Sequence, residues 1–194
     1  MKTIILASAL FAANALALTP AVQAEDAHVA PVKKFISQSV ESWLSDPVVV
    51  GAIKEQNAKT SGLDQAAILK LDKTWRAQAT ASEQPFVKEV LARELSKYLM
   101  EKKEDSRGRI TEIFVMDARG LNVGQSDVTS DYWQGDESKW QKTYGSGPGM
   151  VFVDEVEEDE STQALQSQAS VTISDPESGE PIGAITVGIN LDML

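Results

Sequence analysis

Ile113-Phe114-Val115-Met116-Asp117-Ala118-Arg119-Gly120-Leu121-Asn122-Val123 is the stretch whose reading decides the fold. Residues 110–116 are rich in β-branched and aromatic side chains, which suit a pleated strand. Residues 117–120 place Asp first and Gly fourth, the pattern of a tight turn. Residues 121–125 then return as a second strand. Apolar residues recur with helical spacing before Ile110 and with a period of two after it. The chain therefore divides at this point into a helical half and a sheet half.

Upstream, Val32, Phe35, Ile36, Val40, Trp43 and Leu44 make one amphipathic helix. Asp46-Pro47 breaks and restarts it, Asp as cap and Pro as first helical residue. Residues 48–56 continue it. Leu63, Ala67, Ile68, Leu71 and Trp75 stripe a second helix. Ser82 is placed to cap a third, whose buried face runs from Phe86 to Leu99. Downstream, residues 126–149 are irregular apart from a short helix near 136–143. Strands follow at 150–156, 165–173 and 182–190. In the middle one, Leu165, Ser167, Ala169, Val171 and Ile173 alternate with Gln166, Gln168, Ser170 and Thr172. Helices followed by five hairpin-connected strands imply an α+β fold, with helices packed on one side of an antiparallel sheet.

The first 24 residues read as an address. A Lys2 n-region, an apolar run from Ile4 to Leu18 and Val22-Gln23-Ala24 predict a secretory signal peptide cut after Ala24. An uncleaved anchor is the alternative. Residues 25–194 then form one domain, exported to a bacterial periplasm. Loss of Lys2 takes the net charge from −11 to −12. So acidic a chain suits neither nucleic acid nor anionic lipid. No later stretch is apolar enough to span a bilayer.

The chain has no cysteine and one histidine. Disulfides, thiolate chemistry and Cys-ligated metals are excluded. His28 stands before the first helix and reads as an inert tail residue, which removes histidine-based triads as well. Residues 145–149 contain glycines without the lysine of a phosphate loop. The acidic run from Asp154 to Glu160 has no glycine for a calcium-loop bend and reads as a solvated hairpin tip. No enzyme, cofactor or metal site is expected.

The informative segment is Ser126-Asp127-Val128-Thr129-Ser130-Asp131-Tyr132-Trp133-Gln134-Gly135-Asp136-Glu137, continuing to Trp140 and Tyr144. A long connection of this kind in a compact domain is usually functional. Flat rings beside carboxylates suit a pocket wall and favour an ammonium group. Asp131, Tyr132, Trp133, Asp136, Trp140 and Tyr144 are the candidate ligand-binding residues. Arg76, late on the second helix, is a candidate partner for a ligand carboxylate. The same rings could instead anchor the loop to the sheet, with Asp136 capping the short helix.

The strand-turn-strand, the Thr129 to Glu137 loop, Asp175-Pro176 and Pro181-Ile182-Gly183-Ala184-Ile185 together resemble a single Cache domain, a PAS-like extracytoplasmic sensor. The resemblance covers almost the whole chain after residue 24. It implies a long N-terminal helix, a central antiparallel sheet, and a pocket between the sheet and the loop with its short helix. It also implies a small metabolite as ligand, such as an amine, amino acid or carboxylate. Family members usually belong to chemoreceptors or histidine kinases. This sequence ends at the last strand, so the expectation is a stand-alone binding module. It would report to a separate membrane receptor or kinase, and its N-terminal helix is a candidate surface for pairing with a second copy. A protein-interaction or structural module with a vestigial pocket is the alternative.

Overall fold

The computed structural model describes residues 26–158 and 164–194. The expected signal peptide and part of the acidic tip lie outside the described residues. The helical half contains α1 (Val29–Ser39), α2 (Pro47–Thr60), α3 (Gln65–Ala79), α4 (Pro85–Ala92) and α5 (Glu94–Asp105). A short α6 (Ser138–Gln141) follows inside the long loop. The Asp46 carboxylate accepts the Val48 N–H at 2.9 Å and Pro47 opens α2, as the sequence predicts. Asp64 caps α3 in the same way through the Ala67 N–H.

Two helical expectations need correction. Ser82 does not cap the third helix. The Gln78 side chain accepts the Phe86 N–H at 2.7 Å instead. The expected long third helix is also broken into α4 and α5, because Arg93 takes an extended backbone (φ −62°, ψ 152°). Ser96 stabilises the break. Its hydroxyl donates to the Val90 carbonyl, which also accepts the Arg93 N–H, and accepts the Gln125 N–H from the sheet. His28, expected in an inert tail, instead flanks α1 and contacts the Asp154 carbonyl at 2.9 Å.

The sheet comprises β1 (Ile110–Asp117), β2 (Asn122–Gln125), β3 (Val151–Val153), β4 (Glu157–Glu158), β5 (Leu165–Ser174) and β6 (Pro181–Asn190). All pairs are antiparallel, in the order β2-β1-β6-β5-β3, with two-residue β4 pairing β5 beyond β3. This is the α+β, PAS-like architecture that the sequence implies, with a minor sixth strand added.

One sheet face is apolar across its middle, with the buried polar residues Asp117 and Ser167 toward its ends. Ile113, Val115, Ala169, Val171, Ile185 and Val187 pack there against Val32, Ile36, Val49, Ile53 and Leu99 of α1, α2 and α5. Burying each such aliphatic side chain contributes about 1.5–3 kcal/mol. The helices do not all share that face, however. α3 and α4 form a second cluster around Trp75, Val87 and Val90, closed by Leu121 and Tyr132. The opposite sheet face is covered by the loop, and that covering positions the site.

Candidate ligand site

The loop-covered face is a grid of three rows, read across β1, β6 and β5. The first holds Met116, Ala184 and Thr172; the second Phe114, Thr186 and Ser170; the third Glu112, Gly188 and Gln168. Phe152 of β3 extends the second row. Antiparallel partners point to the same face, so these side chains stand together. The face is buried yet rich in hydroxyls. Ser170 and Thr186 hydrogen-bond each other at 2.8 Å, and both are fully buried. Thr172 is 4% exposed, and its hydroxyl has no partner among the described residues.

The third row is polar. β1 bulges between Ile110 and Glu112, so Thr111 and Glu112 together oppose Gly188. A side chain at 188 would collide with the Thr111 hydroxyl and lie 2.9 Å from Glu112 Cγ. Glycine is therefore required in the floor of this row, because the Thr111 hydroxyl and the Glu112 side chain fill the space that a larger residue would take. Gln168 Nε2 donates to Glu112 Oε1 across this floor at 2.7 Å. Burial pushes the Glu112 carboxyl above its ordinary value, against the opposing pull of Gln168 and Lys139.

Loop residues 126–149 are split into a stem and a cap. The stem is tied to the edge of the sheet. Tyr132 O accepts the Asn122 N–H, Gly120 O accepts the Gln134 N–H, and Trp133 bridges Leu121. Gly120, at φ +77°, has Gly135 packed against it so closely that a Cβ would lie 2.6 Å from Gly135 Cα. The cap is α6 and the turn after it. Trp140 and Tyr144, with ring centroids 5.1 Å apart, lie on Phe114, Met116 and Ala184. Lys139 Nζ stands 5.6 Å from the Phe114 ring centroid and Lys142 Nζ 4.2 Å from that of Phe152. The Trp140 indole donates to the Asp117 carbonyl at 3.2 Å. Desolvation raises the Tyr144 phenol above its ordinary value.

The seven candidate residues divide the same way. Trp140 and Tyr144 are in the cap, over the hydroxyl face. Arg76, Asp131, Tyr132 and Trp133 are in or against the stem. Arg76 pairs with the chain's own Asp72 at 2.6 Å and Asp131 at 2.9 Å. Asp72 Oδ1 in turn accepts the Tyr132 and Trp133 N–H groups. Tyr132 is buried, stacked on Trp75 at 5.4 Å and edge-on to Phe86 at 4.8 Å. The Trp133 indole donates to the Arg119 carbonyl. Asp136 lies between stem and cap, and it does not cap α6; Glu137 occupies the N-cap without a side-chain bond.

The sequence reading missed the floor. Gln168, Ser170 and Thr172 looked like the wet side of a half-buried strand. Glu112 and Thr186 carried no signal beyond polar residues within apolar strands.

No family model matches the chain, and no curated protein matches it. It resembles solved sensory domains. One is the ligand-binding domain of the Campylobacter jejuni chemoreceptor Tlp3 in complex with 4-methylisoleucine, at 13% identity and a TM-score of 0.40 over 79% of this chain and 65% of that one. Another is that of the Pseudomonas aeruginosa PAO1 amino acid chemoreceptor PctC in complex with GABA, at 13% identity and a TM-score of 0.41, covering 75% of this chain and 59% of that one. The V. cholerae histidine kinase DctB sensor domain follows at 13% identity and a TM-score of 0.38, with 74% and 57% covered. The chain spans less than two thirds of the length of each of these structures. Among the described residues, no helix is long and apolar enough to cross a membrane.

Proposed function

We propose that this protein is an exported sensor module, not an enzyme, that binds a small polar metabolite on the hydroxyl face beneath α6. One observation carries the reading. A sheet face covered only for stability fills with apolar side chains, as the middle of the other face of this sheet does. The loop-covered face instead buries Ser170, Thr172 and Thr186 and sets Glu112 and Gln168 beside them. Such groups are costly to bury unless hydrogen-bonded, and a ligand can supply the missing partner for Thr172.

In this reading Glu112 and Gln168 meet the cationic or donor end of an amine or amino acid. Trp140 and Tyr144 close over its body. Asp136 lies at the joint between cap and stem. Arg76, Asp131, Tyr132 and Trp133 hold the stem in register. The ligated state would be read by a separate membrane receptor or kinase.

A second reading rests on the Trp140–Tyr144 pair. These rings already cover Phe114 and Met116, which suits a vestigial pocket in an interaction module.

A thermal-shift screen of residues 25–194 against amino acids, amines and short carboxylates separates the two. Binding at a hundredfold excess over Kd adds about 2.7 kcal/mol. A hit abolished by Thr186→Val, but retained in the stem variant Asp131→Ala, supports the sensor reading. Silence across the panel would sink it in favour of the interaction module.

A further inference from the structure

A groove of about 770 Å³ runs between α2 and the α4–α5 break. Its size lies within the roughly 300–1,000 Å³ of small-molecule sites. Val48, Ala52, Leu95 and Val123 give it an apolar floor. Arg93 lies at the break itself, with a side chain 29% exposed.

Arg93 is held from behind. One guanidinium nitrogen donates to Gln56 Oε1 at 3.0 Å and to the Val123 carbonyl at 2.9 Å. Burial raises the Tyr132 phenol above its ordinary value, and the Arg93 charge opposes that rise. The other terminal nitrogen makes a single 3.1 Å bond to Glu89, whose side chain is 66% exposed. A fixed guanidinium offers carboxylates a two-pronged fork. Here the outer prong is occupied by one loosely held carboxylate from the chain itself. The remaining rim charges, Glu55 and Lys59, are 70% exposed and pair with each other at 2.6 Å. Glu94 is exposed as well. Exposed charges are screened by salt, whereas the half-buried Arg93 is screened less. Arg93 is therefore the less screened of the two cations that line the groove, in a chain that is acidic as a whole.

We propose that this groove is a second ligand site, for a small carboxylate with an apolar tail. The carboxylate displaces Glu89 from Arg93, and the tail lies along Val48, Ala52 and Val123. This site is separate from the loop-covered face and does not depend on it. The two are nonetheless connected. Gln56 joins Arg93 to Asp117, and the Asp117 carbonyl receives the Trp140 indole of the cap.

The test is a titration of the 25–194 chain with hexanoate, followed by ¹H–¹⁵N amide shifts, with hexylamine as the opposite charge. Hexanoate should give saturable shifts centred on α2 and the α4–α5 break, and hexylamine should give none there. Glu89→Ala, which releases the outer prong, should tighten hexanoate roughly two- to fivefold, the scale of one exposed ion pair. Gly51→Leu should abolish binding while the fold persists. Gly51 lines the groove with nothing within 4 Å of an added Cβ, and leucine is a better helix former than glycine. Absence of saturable shifts at the groove overturns the proposal. So does hexylamine binding there in preference to hexanoate, or hexanoate shifts indifferent to both substitutions.

Discussion

Asp117→Asn tests the joint on which both sites converge. Asp117 is fully buried. Its Oδ1 accepts the Arg119 and Leu121 N–H groups at 2.8 and 2.9 Å. Its Oδ2 accepts the Thr60 hydroxyl at 2.8 Å and Gln56 Nε2 at 3.0 Å. Asparagine can keep the first two bonds, but it sets an N–H₂ against the second pair of donors. Thr60 escapes, because its hydroxyl already reaches the Gln56 carbonyl at 3.0 Å. Gln56 cannot, because turning its amide would point an N–H at Arg93. One buried donor–donor opposition remains, costing about 1–3 kcal/mol. A loss of about 2 kcal/mol corresponds to a Tm lower by about 4–8 °C in a domain of this size. Gln56→Glu in the Asp117→Asn background supplies an acceptor facing both the introduced amide and Arg93. It should restore about 1 kcal/mol, limited by the Leu121 and Asn122 carbonyls that now face a carboxylate. The same change in the parent chain sets two carboxylates together and should destabilise. Urea melts of the four chains read the cycle. A change under about 0.5 kcal/mol for Asp117→Asn, or an equal effect of Gln56→Glu in both backgrounds, would refute the account.

Gly188→Ala forces a methyl against Thr111 and Glu112 at the bulge and should cost about 1–3 kcal/mol in a urea melt. Glu112→Gln should be more stable than the parent at neutral pH. The folded-state pKa of Glu112 is raised by burial, so the native state holds its proton longer than the unfolded chain does. Stability is therefore lost as pH rises from the ordinary carboxyl value through the raised one, and it stays lost above. The advantage of glutamine should disappear below about pH 4 in paired thermal melts, and an advantage that persisted there would show that charge is not its origin. Asp72→Ala removes the acceptor for two stem amides and the anchor of Arg76. Hydrogen exchange at Tyr132 and Trp133 should accelerate by at least about tenfold, as loss of about 1.4 kcal/mol of local protection requires.

The division at Ile110, the Asp-x-x-Gly turn and the α2 cap were legible because each is a local preference expressed within a few residues. The break at Arg93 was not. Val90, Leu91, Leu95, Tyr98 and Leu99 keep helical spacing straight through it, and what interrupts them is a tertiary pull from Gln56 and Val123. The site floor was hidden for a related reason. Alternation along β5 reports that one side is apolar and the other polar, and it reads the same whether the polar side meets water or a folded-back loop. The aromatic loop was visible as a cluster, but its division into stem and cap depends on Asp72, whose helical spacing to Arg76 says nothing about the amides it accepts about sixty residues away.

Stem and cap would respond differently to a ligand under α6. The stem is fastened by Asp72, Arg76 and the β2 edge, so such a ligand has little leverage on it. The cap is fastened to the rest of the molecule through fewer polar links, and one of them, Trp140 to the Asp117 carbonyl, ends on the residue that also binds Gln56 and Thr60 of α2. Displacement of the cap is therefore felt first at α2. α2 lies across the apolar sheet face and forms one wall of the Arg93 groove. The sheet between the two faces need not deform for one site to bias the other, because the polar chain from Trp140 to Arg93 passes around its β1–β2 end.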